Sequence, residues 1–163
     1  MAITENSLFN IDSGILQKDA FIVIMRTEWN TAIVDKLEAG CIRILQQYNM
    51  ENYKVVSVPG AFEIPFGIKS FWDNCKLEKP QAFIALGCVI QGDTPHFDFI
   101  CNAVANGVTQ VSIKHNKPVI FGVLTTNTLE QAQERAGGKH GNKGEEAAVT
   151  ALLMANLQNT LND

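Results

Sequence analysis

A run of nine mostly apolar residues, Ala82–Ile90, constrains the fold of this chain more than any other feature. A short polar loop, Gly92–His96, follows it, and apolar residues then recur at helical spacing from Phe97 to Val111. An apolar run of this length ahead of an amphipathic helix is typical of a strand that is buried on both faces of a sheet. The sequence therefore predicts a strand, a loop and a long helix in that order.

The same alternation recurs along the rest of the chain. Short apolar or β-branched runs predict strands over 21–25, 54–58 and 119–124, and helical spacing predicts helices over 31–48, 62–72, 128–136 and 145–157. Asn30 stands where a side chain would cap the first of these helices. Parallel strands need long crossovers and have helices over both faces. We expect a three-layer α/β/α sandwich around a four-stranded parallel sheet, flavodoxin-like in general layout.

Length and composition narrow the class of protein. A chain of 163 residues with 46% hydrophobic content is long enough for one domain with a sizeable core, predicted over residues 21–163. Residues 1–20 are weakly patterned and are interpreted as a flexible arm or an added edge strand. A net charge of -4 argues against a nucleic acid partner, and no apolar stretch approaches the ~18 residues of a membrane span.

The cysteine pattern indicates the redox state of the compartment in which the protein works. The chain has four, they are widely spaced, and none forms a Cys-x-x-Cys pair: Cys41, Cys75, Cys88 and Cys101. This pattern favours reduced, buried thiols rather than a disulfide framework. We expect a cytoplasmic protein.

Ligands of open parallel sheets bind beyond the carboxyl ends of the strands. One cleft there would collect Trp29, Phe62, Glu63, Thr94 and His96. The loop at Gly92–His96 precedes a helix, whose free N–H groups and dipole favour phosphate or carboxylate. Imidazoles titrate near neutral pH, so His96 can serve as a general acid and base, although a surface or capping histidine fits the pattern as well.

Two further strand ends carry candidate ligand contacts. Trp29 can stack on a planar heterocycle, or it can be an aromatic wedge between helix and sheet. After the second strand, Ala61 and Phe62 offer main-chain N–H groups, and Glu63 offers acceptors for a ring or a polyol. The alternative for Glu63 is an acidic residue that complements a helix dipole.

The glycine-rich link at 137–144 contains basic residues but no phosphate-binding motif. Gly138-Lys139 is followed by His140 rather than by Ser or Thr and is preceded by a helix, so a P-loop is excluded. A solvated hinge is one interpretation of the link, with Arg135 beside it as a candidate for phosphate capture. The three histidines share no ligand spacing typical of zinc sites, so no metal is expected.

Three sequence blocks resemble one enzyme family. They are Val58–Pro65, Ala85–Asp98 and the segment from Phe121 to Gly144. Their order and spacing are similar to those of the 6,7-dimethyl-8-ribityllumazine synthases of riboflavin biosynthesis, over most of residues 20–157. The resemblance implies a transferase that condenses 5-amino-6-(D-ribitylamino)uracil with 3,4-dihydroxy-2-butanone 4-phosphate, releases phosphate and water, and uses no cofactor.

The resemblance also implies roles for individual residues. His96 would shuttle protons, and Asp93 with Thr94 would hold the phosphate of the butanone. Trp29 would stack on the pyrimidine ring, where the family usually has phenylalanine, and Gln91 stands where many members carry arginine. The remaining contacts to the ring and ribityl chain would come from Asn30, Ala61, Phe62, Glu63, Cys88, Val89 and Ile90.

Further positions imply an oligomer. Phe121 and Arg135 match positions that reach the site from an adjacent subunit, and Lys139 and Lys143 would add positive charge nearby. The family forms pentamers, often assembled into icosahedral shells, and association with riboflavin synthase stays open. Two other functions are compatible with parts of the pattern, a non-catalytic flavin- or lumazine-binding module and a purely structural shell protein.

Overall fold

The computed structural model describes residues 19–161, apart from the side chains of Gln158 and Asn159. Four parallel strands form its main sheet: β1 (Ile22–Thr27), β2 (Tyr53–Val58), β3 (Ala82–Ile90) and β4 (Val119–Thr126). Their spatial order is β2-β1-β3-β4, and all three neighbouring pairs are parallel. The predicted arm or edge strand over residues 1–20 lies outside the described residues, except for its last two.

Five helices connect and follow these strands in the described part of the chain. They are α1 (Thr31–Gln47), α2 (Ile64–Asn74), α3 (His96–His115), α4 (Leu129–Arg135) and α5 (Lys143–Thr160). A short 3₁₀ turn, Ala61–Glu63, precedes α2, and Pro65 lies in the first turn of α2, where a missing N–H costs no helical hydrogen bond. Among residues 19–161, no helix combines the length and the apolar composition needed to cross a membrane.

The sheet separates two apolar cores. On one face Ile24 and Ile84 pack with α1, α4 and α5, which contribute residues such as Leu37. On the other face Met25 packs with α2 and α3, which contribute residues such as Val104. Successive residues of β1 and β3 therefore point into different cores, as the pleat requires. The predicted three-layer α/β/α sandwich with a four-stranded parallel sheet is confirmed.

Several predicted elements differ from the structure. β4 continues two residues beyond its predicted end, to Thr126, because Thr125 and Thr126 still pair with the end of β3. α5 begins at Lys143 rather than at Glu145. The link at 137–144 is exposed over most of 137–141, as the solvated-hinge interpretation has it, but it is not an irregular hinge, because two short antiparallel strands form there, β5 (Ala136–Gly138) and β6 (Gly141–Asn142).

The cysteine prediction holds only in part. Cys41 and Cys88 are buried, whereas Cys75 and Cys101 are partly exposed on α2's C-terminal side and on α3. All four thiols are free. Exposure arises at Cys101 because only one stripe of α3 packs on the sheet, and its buried residues are Val104 and Val108.

Candidate active site

Trp29 lies at the carboxyl end of β1 with its indole against the turn that follows β2. A Cβ atom placed on Gly60 would approach two ring carbons of Trp29 to 2.6 Å, and the Trp29 N–H donates to the carbonyl oxygen of Pro59 at 3.0 Å. The indole is nevertheless 66% exposed. A wedge between helix and sheet would be buried, so the ring instead offers surface to a ligand.

Asn30 precedes α1 but does not cap it, which corrects the sequence prediction. Its backbone is left-handed (φ 58°, ψ 40°), and its side chain accepts no hydrogen bond from the helix. A capping side chain needs an extended backbone to reach the first free N–H groups. The Asn30 amide instead donates to the carbonyl oxygen of Cys88 at 2.8 Å. This bond joins the end of β1 to the end of β3.

The turn after β2 fixes one oxygen of Glu63. The Gly60 N–H donates to Oε2 of Glu63 at 3.0 Å. Among residues 19–161, Oε1 of Glu63 has no hydrogen-bond partner, so it is free to accept one from a hydroxyl or an N–H. Beside it Phe62 is 57% exposed, whereas Ala61 is buried.

The end of β3 contributes a mostly apolar wall. Cys88 is buried, and burial raises the pKa of its thiol to about 11, so the thiol is neutral at physiological pH. Val89 and Ile90, the next two residues, are half-buried. A wall of this kind can exclude water from one side of a bound ring but supplies no acid or base.

The loop between β3 and α3 is open and anchored at its base. The Gln91 N–H donates to the carbonyl oxygen of Thr126 at 2.9 Å, and the residues beyond it, including Asp93, Thr94 and His96, are exposed. α3 begins at His96 without a side-chain cap. The positive end of a 20-residue helix therefore faces this loop, where an anion would be stabilised.

A second feature lies along the free edge of β4. It is a groove of about 550 Å³ between this edge strand and the helices α4 and α5. Thr126, Arg135, Lys143 and Phe121 are among its lining residues. Phe121 is 43% exposed and also lines a smaller groove of about 380 Å³ against α3.

Arg135 differs from the other two arginines in its partners. Arg26 pairs with Asp35 and Glu38 of α1, and Arg43 pairs with Glu145. Within residues 19–161, Arg135 has no carboxylate in ion-pair range, and its Nη1 donates to the carbonyl oxygen of Gln131 at 3.0 Å. One end of its guanidinium is therefore held while the rest can bind an anion.

The two lysines named from the sequence differ in surroundings. Lys143, the first residue of α5, lies in the groove with its Nζ 2.6 Å and 2.8 Å from the carboxylate oxygens of Glu146. Its charge is thus already paired in the free chain. Lys139 is exposed near the turn between β5 and β6 and does not line the groove.

The structure thus divides the predicted residues into two groups on one chain. We call the region at the carboxyl ends of β1, β2 and β3, together with the loops that follow them, the strand-end pocket. By their places in the chain, it includes Trp29, Asn30, Ala61, Phe62, Glu63, Cys88, Val89, Ile90, Asp93, Thr94 and His96. The edge groove contains Phe121, Arg135 and Lys143, and no residue of the pocket lines it. Among residues 19–161, no group of three or more His, Cys, Asp or Glu side chains is arranged to hold a metal ion.

Sequence reasoning missed two residues beside these groups. Glu146 pairs with Lys143, and the three-residue spacing of the two on a helix was a readable signal. Asn142, which precedes Lys143, is buried, and its side-chain amide donates to the carbonyl oxygen of Lys36 in α1, 106 residues earlier. A local sequence pattern does not contain that contact.

Comparisons with known proteins identify the family. The family model described as 6,7-dimethyl-8-ribityllumazine synthase matches residues 19–159. A protein of that name from Cytophaga hutchinsonii is 53% identical over 133 residues, which cover 80% of this chain and 82% of the relative. Another of that name, from Porphyromonas gingivalis, is 50% identical over 152 residues, which cover 92% of each chain. A third, from Parabacteroides distasonis, is 47% identical over 138 residues, covering 83% of this chain and 84% of the relative.

Proposed function

The chain belongs to the 6,7-dimethyl-8-ribityllumazine synthase family, and on that premise we propose how its residues carry out the reaction. The enzyme condenses 5-amino-6-(D-ribitylamino)uracil with 3,4-dihydroxy-2-butanone 4-phosphate to 6,7-dimethyl-8-ribityllumazine in riboflavin biosynthesis, releasing phosphate and water. The 5-amino group attacks the ketone and a first water leaves to give an imine. Phosphate is then lost, and the ribityl-bearing nitrogen closes the second ring with loss of a second water.

The strand-end pocket holds the pyrimidine. Trp29 stacks on the ring, the wall formed by Cys88, Val89 and Ile90 encloses it, and Oε1 of Glu63 accepts a hydrogen bond from the ring or the ribityl chain. The main-chain groups of Ala61 and Phe62 complete these contacts, and Asn30 keeps the ends of β1 and β3 together. Much of the acceleration comes from holding two reactants in register.

The loop before α3 holds the second substrate. Main-chain N–H groups around Asp93 and Thr94, together with the start of α3, receive the phosphate. His96, at the first position of α3, relays protons between the amine, the departing water and the leaving phosphate. Fixed positive potential lowers the barrier to phosphate loss because negative charge develops on the leaving group.

Arg135 supplies that potential from a neighbouring subunit. The observation that supports this step is that Arg135 and Phe121 line the groove along the free edge of β4, whereas His96 does not line it. A head-to-tail contact would bring the groove of one copy over the pocket of the next, with Phe121 over the heterocycle and Lys143 and Lys139 nearby. Such heterologous contacts close into rings.

Membership of the family also supports proposals on the domain, the assembly, the location and a partner enzyme. We propose that residues 21–163 form a single domain preceded by a flexible arm or an edge strand, that the ring is a pentamer, and that pentamers assemble into an icosahedral shell in the cytoplasm. Riboflavin synthase is the proposed partner enzyme. The compact link from Gly137 to Gly144, similar to that of shell-forming members, supports the shell. Sedimentation that finds a stable monomer at working concentration would contradict both assemblies.

Subunit mixing tests the shared site. His96→Ala and Arg135→Ala chains are unfolded together, refolded as hybrids and assayed for the lumazine chromophore at low butanone phosphate. If each site takes His96 from one chain and Arg135 from the next, about a quarter of the sites regain both groups. Activity no higher than the mean of the two parents would place both residues in one chain's site. Absence of any chromophore with wild-type protein would instead favour a binding module or a shell protein.

A further inference from the structure

Asn142 is a buried polar residue between α1 and the start of α5. Only 8% of it is exposed. Its Nδ2 donates to the carbonyl oxygen of Lys36 in the N-terminal half of α1 at 2.8 Å, and its Oδ1 accepts from the N–H of Gly144 at 2.8 Å. A single side chain thus joins α1 to the first turn of α5.

Two glycines are required for this contact, because neither position has room for a side chain. A Cβ atom on Gly40 would lie within 2.7 Å of three side-chain atoms of Asn142, and one on Gly144 would overlap the carbonyl oxygen of Leu37. Overlaps of this size require backbone to move. The backbone around Asn142 is therefore held at one position relative to α1.

The main chain links Asn142 to Arg135 and Lys143, the two basic residues that line the groove. In the small sheet, Asn142 pairs with Ala136. Arg135 immediately precedes Ala136, and Lys143 immediately follows Asn142, and both line the groove beside β4. Any movement of Asn142 away from α1 displaces the backbone of both cations together.

We propose that Asn142 is a positioning residue for phosphate capture, acting through Arg135 and Lys143. The inference rests on the proposed function, in which Arg135 binds the phosphorylated substrate. Because Lys143 is already paired with Glu146, we assign most of the effect to Arg135. A displacement of about 1 Å in a charged ligand contact is enough to lose much of its effect on the transition state.

The test is a double-mutant cycle on the full-length assembly. Asn142→Ala removes both side-chain hydrogen bonds, whereas Asn142→Asp keeps the acceptor for Gly144 and loses the donor to Lys36. Asn74→Ala is the matched control, since Asn74 also donates to a helix carbonyl, that of Ser70, and does not line the groove. KM for each substrate, the inhibition constant of inorganic phosphate and the melting temperature are measured in wild-type and Arg135→Ala backgrounds.

We expect both Asn142 variants to raise KM for the butanone phosphate and the inhibition constant of phosphate about 10-fold, with KM for the pyrimidine changed less than about 2-fold. In the Arg135→Ala background, the effect on KM should fall below about 2-fold. An equal fold-change in KM for the butanone phosphate in both backgrounds would overturn the inference. An unchanged KM, or failure of both Asn142 variants to fold, would overturn it as well. Each of these outcomes would make Asn142 a purely structural residue.

The two hypotheses fail differently. If the proposed function is wrong, either wild-type protein forms no lumazine, or it forms lumazine and Arg135→Ala leaves the inhibition constant of phosphate unchanged. If only the role of Asn142 is wrong, wild-type activity and the Arg135→Ala effect remain.

Discussion

The side-chain amide of Asn30 donates to the main-chain oxygen of Cys88, 58 residues further along the chain. Since Asn30 follows β1 and Cys88 lies near the end of β3, the bond sets the distance between two walls of the strand-end pocket. The left-handed backbone of Asn30, a conformation that asparagine tolerates well, aims the side chain across the sheet.

Two substitutions of Asn30 separate the contribution of its side-chain hydrogen bond from that of its left-handed backbone. Asn30→Gly keeps the left-handed turn and loses the amide, and we expect a loss of about 1 kcal/mol in stability together with weaker pyrimidine binding. Asn30→Ala also strains the backbone and should lose about 1–2 kcal/mol more. Denaturation curves and KM for the pyrimidine check this. Equal stability of the two variants would show that the left-handed turn is not maintained in solution.

Trp29 should report on binding through its fluorescence. The chain has two tryptophans, and Trp29 is 66% exposed whereas Trp72 is partly buried among Phe83, His115 and Lys79. Stacking on the heterocycle should quench Trp29 emission. We expect the lumazine product to quench wild-type protein and the Trp72→Phe variant, but not Trp29→Phe. Quenching retained in Trp29→Phe would remove the indole from the ring contact.

The sequence predicts the strands well where burial alone decides the pattern. The bounds of β3 match because its residues face a core on each side, which gives a continuous apolar run between polar flanks. The end of β4 is missed because Thr125 and Thr126 are polar, although β-branched residues pair readily in strands. Their place in the sheet depends on partners in β3, which a local pattern does not contain.

The candidate site is predictable at its strand ends and less so beyond them. The topology rule locates Trp29, Glu63 and His96 at one edge without any contact being known. The role of Asn30 is misjudged because a capping motif and a left-handed turn share the same residue type. The glycine-rich link is misjudged because Asn142 is fixed by α1, and that interaction is non-local.

Arg135 should control affinity for the phosphorylated substrate. Arg135→Ala removes a guanidinium that has no carboxylate partner within residues 19–161, so we expect KM for the butanone phosphate to rise at least about 10-fold. KM for the pyrimidine should stay nearly constant. Arg43→Ala is the control, because Arg43 is exposed and pairs with Glu145. An unaltered KM for the butanone phosphate in Arg135→Ala would remove Arg135 from phosphate binding.

His96 should govern turnover rather than affinity. His96→Ala removes a proton relay but leaves the stacked ring and the phosphate contacts, so we expect kcat to fall about 10²-fold, with measurable residual activity. His140→Asn is the control, since His140 lies near the β5–β6 turn, with its Nε2 3.5 Å from Oε2 of Glu134. Wild-type kcat in His96→Ala would show that water or the substrate phosphate moves the protons.

His115 should make the fold sensitive to mild acid. Its ring packs against the ring of Trp72, with centroids 4.9 Å apart and planes tilted by 32°, and among residues 19–161 its buried Nε2 has no hydrogen-bond partner. Burial lowers its pKa below the usual 6.5, and the nearby Lys69, Lys114 and Lys79 act in the same direction, whereas Asp73 opposes them.

Because the fold favours neutral His115, the unfolded chain binds more protons just below pH 6.5, and stability falls as the pH drops from 6.5 towards the lowered pKa. His115→Phe keeps the ring and removes both the titration and the unsatisfied nitrogen. We expect its melting temperature to exceed that of wild type, by more at about pH 5.5 than at about pH 7.5. Melting curves at both values, with His140→Asn as control, check this. A gap that does not widen in acid would mean that His115 titrates equally in both states.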